Sequence, residues 1–112
     1  MKVAIPVFEG RLCLHFGMAT QFAFVDADAD KKEVLGVETL DAPEHEPGVL
    51  PKWLAEQGAE LVIVAGMGQR AQQLFAAAGI QLVVGAPEET PENLVLAYLN
   101  GTLTTGQNIC QH

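Results

Sequence analysis

The sequence predicts an α/β fold, in which one domain is built on a mixed five-stranded sheet with helices on both faces. Three observations support this prediction. The first third of the chain contains β-prone runs that alternate in part between apolar and polar residues, as in a hairpin. The second half alternates wholly apolar runs, typical of strands covered on both faces, with apolar residues at helical spacing. A length of 112 residues with 49% hydrophobic content suits a single domain over residues 1–112.

Three strands are predicted before the first helix. Lys2–Val7 is a compact β-prone run, and the chain turns after it at Glu9 and Gly10. Phe22–Asp26 and Glu33–Glu38 flank a polar segment, which indicates a hairpin. We expect this hairpin to form the antiparallel side of the sheet.

Helices and strands alternate in the second half, in the order α-β-α-β-α. The predicted elements are a helix around Leu50–Leu54, a strand at Leu61–Ala65, a helix through Ala71–Ala78, a strand at Gln81–Val84 and a helix from Thr90 to Gly101. The two strands and the first strand of the chain are expected to run parallel, because helical crossovers connect them. Residues 102–112 show no periodicity, and we expect this tail to be mobile.

The charge balance excludes several classes of partner. The net charge is -8 with only six lysines and arginines, so nucleic acid and anionic membranes are poor partners. No apolar run approaches the ~20 residues needed to cross a bilayer. The start of the chain, Met1–Val7, is too short for a signal peptide. We therefore expect a cytoplasmic protein whose two cysteines are reduced thiols.

The sequence offers no convincing catalytic arrangement. The chain contains no serine, which excludes a serine hydrolase. Its carboxylates are scattered over predicted turns and helix surfaces, which disfavours two-metal phosphoryl chemistry and a nuclease. Cysteine catalysis would require Cys13 or Cys110 near His15 or His45, and the sequence neither supports nor forbids this.

A glycine-rich turn between a predicted strand and a predicted helix is the first candidate binding site. Its residues are Gly66, Met67, Gly68, Gln69 and Arg70. Glycines there allow a ligand to approach the backbone, and the free N–H groups of the first helical turn favour anions. The G-x-G pattern lacks the third glycine of a dinucleotide fingerprint and the lysine of a phosphate loop, so a simple tight turn is the alternative.

Two C-x-H pairs are the second candidate. Cys13 and His15 lie two residues apart and would share one face of an extended segment, and Cys110 and His112 repeat the spacing at the end of the chain. Together the pairs could bind zinc, and a cysteine with a histidine also suits Cu(I) or an iron–sulfur type cluster. Alternatively, Cys13 packs as a small hydrophobic residue. His45 lies in an acidic, proline-bounded loop, where it is either a ligand or simply solvated.

Nearly the whole chain resembles the dinitrogenase iron–molybdenum cofactor family. The matching stretches are M-K-V-A-I-P-V (1–7), H-F-G-M-A-x-x-F (15–22), G-x-x-P-x-W-L-A-E-x-G (48–58), V-I-V-A-G-M-G-Q-R-A (62–71), A-G-I (78–80) and A-Y-L-N-G (97–101). The family includes NifX-like cofactor carriers, the carboxy-terminal domain of NifB-like proteins, and small stand-alone members. The H-F-G and G-x-G-x-R-A elements together are far more specific than either element alone.

The resemblance implies an RNase H-like α/β fold and a protein that binds or delivers a metal–sulfur cluster without catalysis. The cluster would be of the Fe-Mo-S or the Mo-Cu-S type. By the same resemblance His15, with Phe16 and Gly17, would contact the cluster, and Arg70 with the backbone of residues 66–69 would hold its anionic side. The implied partners are cluster donor or acceptor proteins, and the chain itself would be a monomer or a weak homo-oligomer.

Two departures from the family pattern leave alternatives open. Many relatives have serine at the position of Cys13, so the resemblance does not make this thiol a ligand. The chain is also shorter than the nitrogenase-operon carriers, which favours the stand-alone branch that includes the orange-protein type. A mononuclear zinc or copper binder that uses both C-x-H pairs, and a protein-binding adaptor that has lost the cluster site, remain as alternatives.

Overall fold

The computed structural model describes residues 1–44 and 48–106, which form an α/β fold. In chain order its strands and helices are β1 (Lys2–Phe8), β2 (Arg11–Leu12), β3 (Gln21–Asp28), β4 (Glu33–Asp41), α1 (Val49–Glu56), β5 (Leu61–Val64), α2 (Gln69–Ala77), β6 (Gln81–Val84) and α3 (Pro91–Leu99). A short 3-10 turn, Phe16–Met18, precedes β3. The predicted fold class and order of the major elements are confirmed.

The sheet is mixed, as the sequence predicts. Its strand order is β4-β3-β1-β5-β6, with β2 paired to β1 outside this path. Strands β1, β5 and β6 are parallel, whereas β3 is antiparallel to both β1 and β4. The hairpin therefore forms one half of the sheet and the two crossover helices connect the other half.

Helices cover both faces of the sheet and divide the interior into two cores. Helices α1 and α2 contribute Leu54 and Phe75 to one core, and α3 contributes Leu94 to the other. Along β5 the side chains alternate between them, with Val62 in the first core and Ile63 in the second. A strand buried on both faces needs an uninterrupted apolar sequence, which is why Leu61–Val64 shows no alternation.

Strand β2 is the one strand that the sequence analysis did not predict, and it makes the sheet six-stranded. Glu9 and Gly10 both have positive φ, 52° and 79°, as in the two-residue turns that suit the twist of a hairpin. This turn brings Leu12 opposite Val7 and so fixes the start of the next segment beside the end of β1. The RNase H-like label for the whole arrangement stays a prediction.

The described part of the tail returns to the sheet. Leu103 packs against the α3 core, and the amide of Gly106 donates a hydrogen bond of 2.7 Å to the carbonyl of Gly85, just after β6. Residues 107–112 lie outside the described residues, so the predicted mobility of the tail stays a prediction. Within the described ranges, every helix is too short or too polar to cross a membrane.

Candidate functional site

The candidate residues lie along one edge of the sheet, here named the carboxyl edge. It is the edge at which β1, β5 and β6 end, because these strands are parallel and in register. Strand β3 begins there, since Gln21 lies opposite Val7, and β4 ends there, since Asp41 lies opposite Gln21. The loops that follow β2, β5 and β6 therefore meet at this edge, where open α/β sheets typically bind ligands.

The Cys13–His15 segment lies outside any strand, because β2 ends at Leu12, and it bends at Leu14 before the 3-10 turn at Phe16–Met18. Residues 13–18 are named the His15 turn. The amide of Cys13 donates to the carbonyl of Pro6 at 2.8 Å, which holds the segment against β1. The carbonyl of His15 accepts two hydrogen bonds, one from Cys13 Sγ at 3.3 Å and one from the amide of Met18 at 3.0 Å. The His15 imidazole is exposed, and the Cys13 side chain is half-buried.

Phe16 anchors this turn to the body of the protein. Its ring meets Phe22 of β3 and Phe75 of α2 edge-to-face, with ring centroids 5.9 and 5.8 Å apart. It shares the core of α1 and α2 with Met67. The packing of Phe16 thus couples the position of His15 to helix α2, whose first turn contains Arg70.

The second predicted element, residues 66–70, joins β5 to α2. Gly66 and Met67 are buried, whereas Gly68, Gln69 and Arg70 are exposed. Gly68 caps the helix with φ -64° and ψ 153°, and no side chain of residues 1–44 or 48–106 caps the first turn of this helix. Exposed backbone N–H groups at the positive end of a helix dipole favour an anion.

Two glycines of these elements, Gly17 and Gly68, are required neither by a positive φ nor by crowding, although Gly68 also caps α2, a position that favours glycine over alanine. Neither Gly17 nor Gly68 has a positive φ, and a Cβ atom added to either would meet no atom within 4 Å. A fold does not require glycine where the conformation is ordinary and the space is open. The open space above both backbones fits a bulky ligand that approaches closely.

A cleft of about 640 Å³ opens beside His15. Its walls include Phe8, Arg11, Cys13, His15, Met18 and Glu88. Residues 66–70 do not line it, so the structure brings Cys13 and His15 into one cleft and connects this segment to helix α2 through the contact of Phe16 with Phe75. Sequence patterns assign no role to Arg11, Met18 or Glu88. Ligands of open α/β sheets bind where parallel strands end, and this rule applies to the loop after β6 as well as to residues 66–70.

Both arginines of the sequence lie at the carboxyl edge, in a chain of net charge -8. Arg11 donates to the carbonyl oxygen of Glu88 at 3.4 Å. Within residues 1–44 and 48–106, neither the Arg70 guanidinium nor the His15 imidazole has a hydrogen-bond or ion-pair partner. Both groups are therefore free to bind a ligand.

Glu89 stabilises the loop after β6. Hydrogen bonds from the Thr90 amide and the Asn93 side chain lower the pKa of the Glu89 carboxyl, and the nearby charge of Arg11 acts in the same direction. The backbone of Glu89 in turn accepts a hydrogen bond of 2.9 Å from the Leu12 amide. This contact ties the start of α3 to β2 and hence to the His15 turn.

Three predicted ligands, His45, Cys110 and His112, lie outside the described residues. The loop that contains His45 leaves β4 at the carboxyl edge, where the Ala42 amide donates to the Thr20 carbonyl at 2.9 Å. Among the residues that are described, no three His, Cys, Asp or Glu side chains are grouped closely enough to hold a metal ion. The predicted roles of all the candidate ligands stay predictions.

Comparison with known proteins agrees with the fold and the sequence motifs. The chain is 26% identical to the uncharacterized protein MJ0580 of Methanocaldococcus jannaschii, in a match that covers 92% of this chain and 89% of that protein. The crystal structure of PH0822 superposes with a TM-score of 0.84 at 32% identity, covering 94% of each chain. The apo form of the orange protein from Desulfovibrio gigas superposes with a TM-score of 0.72 at 24% identity, covering 96% of this chain and 93% of that one.

The family assignment follows from a match over most of the chain. Residues 1–101 match the family described as "Dinitrogenase iron-molybdenum cofactor". This range includes both the His15 turn and the α2 turn, so the two elements at the carboxyl edge lie within the matched domain. The chain therefore belongs to the dinitrogenase iron–molybdenum cofactor family.

Proposed function

We propose that this protein binds a metal–sulfur cluster at the carboxyl edge and delivers it to a client protein, without catalysing a reaction. The cluster is the cargo, of the Fe-Mo-S or Mo-Cu-S type that the family resemblance implies. One observation supports the proposal above all others. In a protein of this family, His15 and Arg70 are both exposed, and neither has a hydrogen-bond or ion-pair partner in the described chain. The buried contact between Phe16 and Phe75 connects the segments that contain them.

The two sides of the site suit the two kinds of atom in such a cluster. An imidazole nitrogen is a ligand for the metal atoms, so His15 would contact a metal. Arg70 and the free N–H groups at the start of α2 would donate to the sulfide atoms, which carry the negative charge. A cluster held mainly by hydrogen-bond donors, with one imidazole as a metal ligand, can dissociate as an intact unit, as delivery requires.

The acidic surface makes these local donors decisive. The net charge of -8 repels an anionic cluster from most of the molecule, so binding depends on the cations at the carboxyl edge. Replacement of one of these cations is therefore expected to have a large effect.

The first experiment tests the cargo. The protein is purified anaerobically, incubated with iron and sulfide or with tetrathiomolybdate and copper, and desalted before metal analysis and a visible absorption spectrum. We expect retained metal with sulfide and charge-transfer bands in the visible region. A colourless protein with one zinc ion per chain would overturn the proposal and favour the zinc site made from both C-x-H pairs.

The second experiment tests the residues. His15→Ala and Arg70→Gln are expected to lower the retained cluster at least about tenfold, because each removes a direct contact. Lys52→Gln is the control for Arg70→Gln, since it removes an exposed positive charge from α1. Equal retention in Arg70→Gln and in the wild-type protein would contradict the assigned role of Arg70.

The open glycines permit a third and more discriminating test. Gly17→Ala is expected to fold normally, whereas Gly68→Ala should stay folded with a small loss of stability, because alanine is a poorer helix cap. Both variants are expected to retain less cluster, because each methyl group occupies the space that the cluster would fill. Gly36→Ala is the matched control, since Gly36 on β4 also has open space around it. Unchanged retention in both site variants would show that the cluster does not approach this backbone.

A further inference from the structure

Three side chains with soft donor atoms line the cleft beside His15. They are the thiol of Cys13, the imidazole of His15 and the thioether of Met18. Thiolate and thioether donors suit soft metal ions, Cu(I) among them, and imidazole also binds copper. We propose that Cys13, His15 and Met18 form a binding site for a single Cu(I) ion, separate from the Arg70 side of the proposed cluster site.

The three residues belong to one short segment, whose backbone is held in place around the His15 carbonyl, and all three line the same cleft. The His15 carbonyl accepts hydrogen bonds from Cys13 Sγ and from the Met18 amide, at 3.3 and 3.0 Å. The intervening Phe16 is buried, which fixes the middle of the turn in the core. The Cys13–Met18 segment is thus already folded before a metal arrives, which lowers the entropic cost of bringing the donors together.

The exposure of Met18 has no explanation in packing. Its side chain is 76% exposed, more than any other large hydrophobic residue that the structure describes. Burial of a methionine stabilises a core, whereas exposure leaves the thioether accessible to a metal. Cys13 is half-buried, and its thiol, a weak donor, makes one hydrogen bond of 3.3 Å to a carbonyl oxygen, which a metal can replace at small cost.

The donor set favours Cu(I) over zinc. Zinc in proteins is bound by thiolate, imidazole and carboxylate ligands, with four of them in a structural site, and a methionine thioether is not among these ligands. Glu9 and Glu88 also line the cleft, yet neither forms with Cys13 and His15 a group that could hold a metal ion among the described residues. A thiolate, an imidazole and a thioether make a three-ligand site, which is sufficient for the softer ion.

Binding releases one proton and involves no change of oxidation state. The Cys13 thiol loses its proton to solvent as the Cu–S bond forms, and the His15 imidazole and Met18 thioether donate lone pairs as neutral ligands. The thiolate balances the charge of Cu(I), so the filled site adds no net charge to the cleft. This neutrality suits a site beside the Glu88 carboxylate, where an added anion would be repelled.

The inference shares His15 with the proposed cluster site, whereas Met18 belongs to this inference alone. The test therefore uses Cu(I) as the only probe, under anaerobic conditions, in competition with the chromophoric chelator bathocuproine disulfonate. The terminal pair is removed first by Cys110→Ser and His112→Ala, so that it contributes no ligand. We expect this background variant to take one Cu(I) per chain from the chelator.

Met18→Leu is the decisive variant, because leucine has a similar volume and the position is exposed, so folding should be unaffected. We expect it to weaken Cu(I) binding at least about tenfold, as Cys13→Ser should also do. Phe8→Leu is the control, since it changes the wall of the cleft without removing a donor. Full Cu(I) affinity in Met18→Leu, or no competition by the background variant, would overturn the inference even if the Fe-Mo-S or Mo-Cu-S cluster still binds.

Discussion

At the scale of single residues, Gly85 is the position where the fold depends most clearly on glycine. Its φ of 90° lies in the region that residues with a side chain rarely adopt, and a Cβ atom there would overlap the carbonyl oxygen of Gly106. The same two residues share the hydrogen bond that holds the described end of the tail to the sheet. A methyl group at Gly85 would therefore both strain the backbone and displace the tail.

We predict that Gly85→Ala lowers the free energy of unfolding by about 1–3 kcal/mol. Gly79→Ala is the matched control, because Gly79 has a similar φ of 78° but open space around it. This control should lose only the cost of the positive φ, about 1 kcal/mol. Urea denaturation of both variants measures the difference, and equal losses would show that the contact with Gly106 does not stabilise the protein.

Glu89 has a distinct effect on the pH dependence of stability. Its pKa is lowered in the folded protein, chiefly by the hydrogen bond from the Thr90 amide. The stabilisation is therefore fully present above the ordinary pKa of 4.5 and is lost as the pH falls through the lower folded value. We predict that Glu89→Gln lowers the melting temperature at pH 7 and that this difference shrinks below about pH 4.5.

Glu38→Gln is the control for this prediction, because Glu38 is exposed on β4 and belongs to no helix end. It should leave the pH dependence unchanged. Thermal melts between pH 3 and 7, about the range over which carboxylates titrate, would compare the three proteins. A difference between Glu89→Gln and wild type that is the same at every pH would contradict the prediction.

At the scale of elements, the sequence predicts the long elements well and the short ones poorly. Thr90 was recognised as the start of α3 because a hydroxyl cap before a proline is a local signal, and its Oγ1 indeed accepts from the Asn93 amide at 3.4 Å. The two-residue β2 has no periodicity of its own and forms through pairing with β1. Tertiary contacts of this kind leave no pattern in the sequence.

The candidate site, too, is predicted from the sequence only in part. The positions of His15 and of residues 66–70 at one edge follow from strand order, which the sequence predicts. The sequence does not specify that β2 ends at Leu12. The expectation that Cys13 and His15 share one face requires an extended strand, and in the structure the strand ends before Cys13. The cleft walls at Arg11 and Glu88 come from segments 77 residues apart, which no local motif connects.

The anchoring of the His15 turn through Phe16 leads to a prediction at this scale. Phe16→Ala should lower the free energy of unfolding by about 3–5 kcal/mol, because it removes a buried ring that contacts Phe22 and Phe75. It should also lower cluster retention, since the His15 turn loses its attachment to α2. Phe8→Ala is the control for stability, because Phe8 is 63% exposed and its loss should cost less than about 0.5 kcal/mol.

Both quantities are measured on the same variant, by chemical denaturation and by metal analysis after reconstitution. Phe16→Leu, which keeps an apolar side chain in the core, should recover part of the stability. Normal cluster retention in a folded Phe16→Leu protein would be compatible with the anchoring role. Normal retention in Phe16→Ala would contradict it.

At the scale of the whole molecule, the interior is entirely apolar. Among the described residues, every buried side chain that forms the two cores is hydrophobic, and no polar or charged residue is buried. The candidate ligands His15 and Arg70 are exposed at the carboxyl edge. The folded core and the binding groups are thus spatially separate, with Phe16 as the connection between them.

This separation predicts how the protein responds to its cargo. Because the buried core residues of the described chain include no His, Cys, Asp or Glu, we expect the core amides of the empty protein to stay protected from hydrogen exchange. The loaded protein should gain only the stability that mass action gives to any native-state ligand. Loss of exchange protection throughout β5 on removal of the metal would contradict this prediction.

The apolar interior therefore affects how the proposed carrier releases and rebinds its cluster. Small metal-folded domains lose their structure when the metal leaves, because the metal takes the place of a core. Here both cores of the described chain are packed from hydrophobic side chains, so we expect the proposed carrier to stay folded, and able to accept a cluster, after its cluster leaves. Discharge and reloading can then alternate on the same molecule without a round of unfolding.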